Sequence, residues 1–268
     1  MEQQAGFLRL IGLIIAAGLI VVGVFFYTPI GGFALSEEYE TTAYTDLGDI
    51  SEVRLRGSGT VQMRPGTAPT LSITSDTVLT DKFLVDNENG VLTISMNELD
   101  LVRSLKVDPE LTTLTLTLPE LSALHLSGSY ILEEATIEGD ELLVTTQGKT
   151  TGTAKVTANT LTLRTSGHND LTLLGSAFTE TTFILNGTGQ VDSSDFTTPE
   201  ATVNTNGSGT LRLNNPRQAA LELNGATKVF FETLPTEQFS ARSTGQSIIG
   251  IYDPNALNEE TTPNDNEN

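Results

Sequence analysis

The sequence predicts an all-β fold: a parallel β-helix, a solenoid of about 20 residues per coil, preceded by an N-terminal transmembrane helix. Three observations carry this expectation. An uncharged apolar run opens the chain, a glycine corner recurs at nearly fixed spacing, and two apolar columns flank that corner.

The apolar run comes first. From Leu10 to Ser36 no residue is charged, and LIGLIIAAGLIVVGVFFY, Leu10 to Tyr27, is apolar almost throughout. With the flanking Thr28 to Leu35 it approaches the length of a bilayer span. Residues 1–35 therefore read as a transmembrane anchor or as a signal peptide cut near Gly32-Phe33-Ala34, with a buried core helix as a third reading. Arg9 precedes the run and the residues just after it are acidic. The positive-inside bias then leaves the body outside the cytoplasm, in the periplasm or at the cell surface.

Charge divides the remainder. Residues 36–50 hold five acids and no base, residues 254–268 four acids and no base, and residues 51–253 hold 24 acids against 13 bases. The two flanks read as an acidic linker and a disordered acidic tail. The folded body is then 51–253. A net charge of −20 excludes nucleic acid as a partner, because a phosphate backbone needs a basic footprint. Thr occurs 41 times and Gly 24 times, while Cys and Trp are absent. That usage favours short strands and tight turns over helices, and it removes disulfides and thiolate metal sites.

Within the body, corner glycines stand at Gly57, Gly128, Gly148, Gly167, Gly187, Gly207, Gly225 and Gly245. From Gly128 onward they are separated by 20, 19, 20, 20, 18 and 20 residues. Four places before the glycine stand Val53, Leu124, Val144, Leu163, Phe183, Val203, Leu221 and Ala241, all apolar. Four places after it stand Val61, Leu132, Gly152, Leu171, Val191, Leu211, Val229 and Ile249, apolar except for Gly152. Within each arm the period is two, so each arm is a strand with one buried face. A pair of arms cannot bury that face alone, whereas coils stacked about 4.8 Å apart share a continuous interior. Ala158, Phe178, Phe196, Leu234 and Phe239 are the candidates for a third interior side. A β-sandwich is the alternative, but it does not require constant coil length.

The glycine supplies a positive φ at the corner. In three successive coils an Asn precedes it, so stacking would set Asn186, Asn206 and Asn224 above one another as an amide ladder. The alternative use of that edge is a polar ligand groove. Residues 51–120 contain one glycine corner and then longer alternating strands such as TLTLTLPEL, which read as a layer over the open end of the solenoid. The acidic stretch LEEATIEGDE, Leu132 to Glu141, reads as an interruption between two coils.

The stretches VRLRGSGTVQM and LSALHLSGS, followed by repeated SG and NG corners between alternating strands, resemble the family "putative auto-transporter adhesin, head GIN domain" over roughly residues 50–253. The resemblance implies an exported, right-handed β-helical domain in bacteria. TTQGKTTG, RTSGHND and ELNGATK depart from the pattern by lacking the second glycine. No C-terminal barrel pattern and no lipobox Cys accompany it, so neither autotransport nor a lipid anchor follows.

The search for chemistry yields no catalytic, cofactor-binding or metal residues. His125, between Leu124 and Leu126, points outward. His168 lies in a corner beside Asn169 and Asp170, about two coils away, too far for one metal site. Asp170, Asp192 and Asp195 are the candidates for a glycosidase-type carboxylate cluster. Glu133, Glu134, Glu138, Asp140 and Glu141 are dense but lack an alternating calcium-loop pattern. The expected function is non-enzymatic: a membrane-anchored envelope protein whose β-helix serves adhesion, recognition or scaffolding. A surface polysaccharide or another envelope protein is the expected partner. The alternative is a carbohydrate-active β-helix enzyme, a polysaccharide hydrolase or lyase.

Overall fold

The computed structural model describes residues 38–96 and 111–253. The expected anchor or signal segment, residues 1–35, and the expected tail, residues 254–268, lie outside the described residues. Among the described residues no helix is long and apolar enough to cross a membrane.

The chain is a β-solenoid of about six turns. Its opening strands are β1 (Tyr39–Tyr44), β2 (Glu52–Pro65), β3 (Thr70–Asp76), β4 (Phe83–Glu88), β5 (Val91–Met96) and β6 (Thr112–Leu118). The repeating coils follow as β7 (Ala123–Glu138), β8 (Glu141–Thr197), β9 (Glu200–Leu213), β10 (Gln218–Phe231), β11 (Gln238–Gly245) and β12 (Ile248–Ile251). β8 is extended through 57 residues, because the corners bend the ribbon without breaking its pairing. The stack runs β2-β7-β8-β9-β10-β11, with every neighbour parallel.

The register superposes the sequence columns. Gly57 pairs with Gly128 and Gly128 with Gly148, although 71 positions separate the first two. Gly187, Gly207, Gly225 and Gly245 pair in turn, and Phe183, Val203 and Leu221 lie one above another. Close approach explains the corner residue as much as backbone angle does. Gly187 has φ 125°, and a Cβ there would collide with the carbonyl oxygen of Gly167 in the coil before it. The same collision recurs from Gly148 to Gly225, so no side chain fits the corner.

Both apolar columns are buried through most of the stack. Val53, Leu124, Phe183 and Val203 are fully enclosed on one side, Val61, Leu211 and Val229 on the other. Alternation puts them there: Thr and charged residues between them face out. Two expectations for the interior are corrected. Ala241, in the last described coil, is exposed, since no further coil among the described residues covers β11. Of the five candidates for the third side, Ala158 and Phe196 are buried, whereas Phe178, Leu234 and Phe239 are 63%, 50% and 45% exposed. At Phe178 the reason is parity, because Ala177 takes the inward place.

Nor is the interior wholly apolar. Towards the corner it holds Thr146, Thr165, Asn169, Thr205 and Thr227, all buried, with Thr146 Oγ1 donating to Asn169 Oδ1 at 2.6 Å. Tyr130 occupies this region in β7, and burial pushes its phenol well above the ordinary value. In the coils of Gly187 and Gly207 the corresponding places are Gly189 and Gly209, beside a cavity of about 30 Å³.

The residues between Gly57 and Gly128 build the closing layer. β5 lies parallel on the first arm of β2 and β6 parallel on its second arm, so together they imitate a coil. β4 then pairs antiparallel with β5, and β3 antiparallel with β6. β1 adds antiparallel to β3. Residues 36–50, expected as a linker, thus contribute a strand. Its side chains remain largely in solvent, so the composition reflected exposure while the backbone found an edge to pair with.

Leu132 to Glu141 does not interrupt the stack either. β7 continues into it as far as Glu138 and β8 resumes at Glu141, and Glu133 and Glu134 form a bulge after which Ala135 pairs with Ala154 and Ile137 with Val156. Glu134 takes φ 50° there, and Gln62 Nε2 and Arg64 NH2 hold the two carboxylates at 3.1 and 2.9 Å.

Candidate functional site

Functional side chains in a solenoid of this kind project from the outer faces of its arms. On the corner of its coil His168 is half exposed, with Nε2 3.0 Å from Asp170 Oδ2 and Nδ1 3.1 Å from Thr188 Oγ1 of the next coil. Hydroxyl, imidazole and carboxylate in that order have the arrangement in which an imidazole takes a hydroxyl's proton while the carboxylate orients the ring. The surroundings do not complete a catalytic site. Residues 180–193 pair along their length with β9, and Gln190 N donates to Asp170 Oδ1 at 3.0 Å. The backbone donors that an oxyanion would need are therefore spent in pairing.

The other sequence candidates are drawn into structural interactions. Asp192 faces Arg212 of the next coil at 3.1 Å and accepts from the Ser194 amide at 3.1 Å. Arg212 in turn lies 4.0 Å over the Tyr252 ring. Asp195 is exposed on the third side. The three aspartates are thus not brought together as a pair flanking a groove. Asp140 accepts from Asn159 Nδ2, and among the described residues no three His, Asp or Glu converge as metal ligands. His125 does point outward, in register between Arg54 and Thr145, with Nε2 3.3 Å from Glu52 Oε1. Asn186, Asn206 and Asn224 do align, but the hydrogen bond along that file among the described residues runs from Thr244 Oγ1 to Asn224 Oδ1.

Two shallow grooves mark the outer surface. One, of about 550 Å³, lies across the first arms of the first three coils and is lined by Arg54, Arg56, His125, Ser127, Thr145 and Gln147. The other, of about 450 Å³, lies on the third side between Glu120, Glu138, Asp140, Asn159 and Phe178. The first was not evident from linear sequence, because Arg54 and Gln147 are brought together only by stacking. The recurrent place three residues before the glycine was the available signal.

The family described as "Putative auto-transporter adhesin, head GIN domain" matches residues 49–235. The chain belongs to this family. The head GIN match spans β2 to β10 and so takes in both grooves, leaving out β1, β11 and β12. A crystal structure of a "putative adhesin" from Bacteroides fragilis is similar at TM-score 0.68 and 18% identity, covering 81% of this chain and 98% of that one. Two structures from Parabacteroides distasonis are also similar. One, described as a "putative lipid binding protein", has TM-score 0.57 and 17% identity over 82% of this chain and 98% of its own. The other, a "putative adhesin", has TM-score 0.53 and 15% identity over 80% and 97%. At these identities the likeness is one of fold. No curated protein matches this head GIN chain.

Proposed function

We propose that this protein is a non-enzymatic adhesin of the bacterial envelope, held to the membrane by residues 1–35 and carrying a right-handed β-helix outside the cytoplasm. The observation that carries the reading is the outer surface itself. Eight corners in register produce flat, paired arm faces rich in Thr, Asn and Arg, while Asp170 is engaged by His168 and Gln190 and Asp192 by Arg212, apart from Asp195 on the third side. Membership in an adhesin family and a likeness in fold to structures described as adhesins support it. Long regular faces suit a ligand that itself repeats. The apolar run before an acidic segment supports the anchored, outward-facing placement.

Two measurements test this together. Isolated envelope polymers are offered to the full chain while reducing-sugar release is followed, and intact spheroplasts producing the protein are treated with a protease. Retention without sugar release, and degradation of the body, are expected. Turnover without retention would overturn the non-enzymatic reading in favour of a polysaccharide hydrolase or lyase, and full protection in spheroplasts would overturn the placement.

A further inference from the structure

The faces of this acidic solenoid differ in charge. The outward places of the first arm, five, three and one residues before each corner glycine, carry Arg54, Arg56, Arg164 and Arg242 against Glu52 and Glu222. Glu141, Glu180 and Glu200 stand at the start of the same arm, seven places before their glycines, and the third side carries Glu138, Asp140 and Asp195, all exposed. In a body with 24 acids and 13 bases, the half of this arm nearest the corners, three and one places before the glycine, holds four arginines against Glu222 alone. The clearest part of it is the groove of Arg54, Arg56 and His125, where Glu52 is shared by Arg54 and His125. Arg56 and Arg164 are exposed and form no ion pair among the described residues. On the far side of β5 the edge strand β4 brings Asp86 and Glu88, which bound the cationic strip.

We propose that this first-arm face, from Arg54 and Arg56 to Arg164, binds an extended acidic polysaccharide, its carboxylates taken by the guanidinium groups. The proposal deepens the adhesion reading and rests on it. Guanidinium forks match carboxylates in a bidentate way, and an unpaired exposed Arg is available for that use. Arg54, His125, Thr145 and Arg164 occupy one file, so the outer two arginines stand about 14 Å apart at the usual strand spacing. An extended glycan of uronic acids laid along the stack meets a new strand at roughly each sugar. Ser127, Thr145, Gln147 and Ser166 between the arginines offer neutral donors and acceptors to its hydroxyls. A lipid surface fits less well. Anionic headgroups are held by dense Lys and Arg clusters, whereas here the arginines are spaced singly along the stack. Single-stranded nucleic acid needs stacking aromatics, which this face lacks.

The test titrates the full chain with polygalacturonate, dextran and phosphatidylglycerol vesicles at about 0.15 M salt. A variant with Arg54→Gln, Arg56→Gln and Arg164→Gln is compared with one carrying Lys155→Gln, Arg217→Gln and Lys228→Gln, which changes charge equally elsewhere. Polygalacturonate binding should weaken at least about tenfold in the first variant and less than about twofold in the second. Dextran and vesicles should bind neither the parent nor the variants. Single Arg164→Gln, at an exposed strand place, gives the same comparison in smaller measure should the triple variant fold poorly. Equal losses in both variants, vesicle binding that depends on the three arginines, or no polygalacturonate binding by the parent would each overturn the site. If the first variant still holds isolated envelope material as the parent does, adhesion stands and this face is wrong. Failure of the parent on every polymer sinks both.

Discussion

Gly187 shows what a single corner residue costs and contributes. It combines φ 125° with a collision course between any Cβ and the carbonyl of Gly167, so substitution strains its own backbone and pushes two coils apart. Gly187→Ala should therefore destabilise the fold by about 3 kcal/mol. Its neighbour in space, Asn206, is exposed and its side-chain amide forms no hydrogen bond with that of Asn186 or Asn224, so Asn206→Ser should stay within about 0.5 kcal/mol. Urea midpoints of the two variants measure both; equal losses would mean that the amide file contributes as the sequence suggested. The glycine requirement was legible because eight copies align. Its second cause was not, since contact with the preceding carbonyl exists only once coils stack. Asn206 illustrates the converse: aligned Asn residues in sequence need not turn their amides towards one another.

At the scale of the strand, period two was enough to place Val203 and Leu221 inside, because alternation is local and each arm is regular. It failed where the chain leaves the arms. Around Phe178 and Leu234 the third side follows no fixed parity, and at Glu133 and Glu134, which stand opposite Thr153 alone, one added residue is absorbed as a bulge. Position in the stack was equally hidden. β11 keeps two apolar places of β10, Phe239 beside Ala219 and Ala241 beside Leu221, yet all eight of its residues are exposed, because nothing among the described residues lies beyond it. Its amides should exchange with solvent deuterium far faster than those of β9, which is paired on both sides and opens only with the whole fold. Protection of β11 equal to that of β9 would show that its free edge is covered.

The whole molecule is a one-dimensional stack, and its surface properties follow from that. Stacking turns a residue repeated every coil into a stripe, which is why the corner half of one arm face can carry arginines while the start of that arm and the third side carry acids. It also explains why the closing layer at β2 is irregular: an end coil needs strands that pair with one side only. The fold class was legible from the spacing of the glycines. The site was less so, since Arg54 and Arg164 lie 110 positions apart in sequence and meet on one face only when the closing layer is folded out of the way.

The absence of native cysteine allows the stacking itself to be measured. Asn186 and Asn206 are exposed partners in adjacent coils, at a Cα separation of about 5 Å that suits a disulfide. Asn186 and Asn224 lie two coils apart, at about 10 Å, beyond its reach. Under mild oxidation the Asn186→Cys/Asn206→Cys protein should close an intramolecular disulfide, seen by mass, while Asn186→Cys/Asn224→Cys should remain reduced. Closure of the second pair as readily as the first would contradict the stacked-corner solenoid.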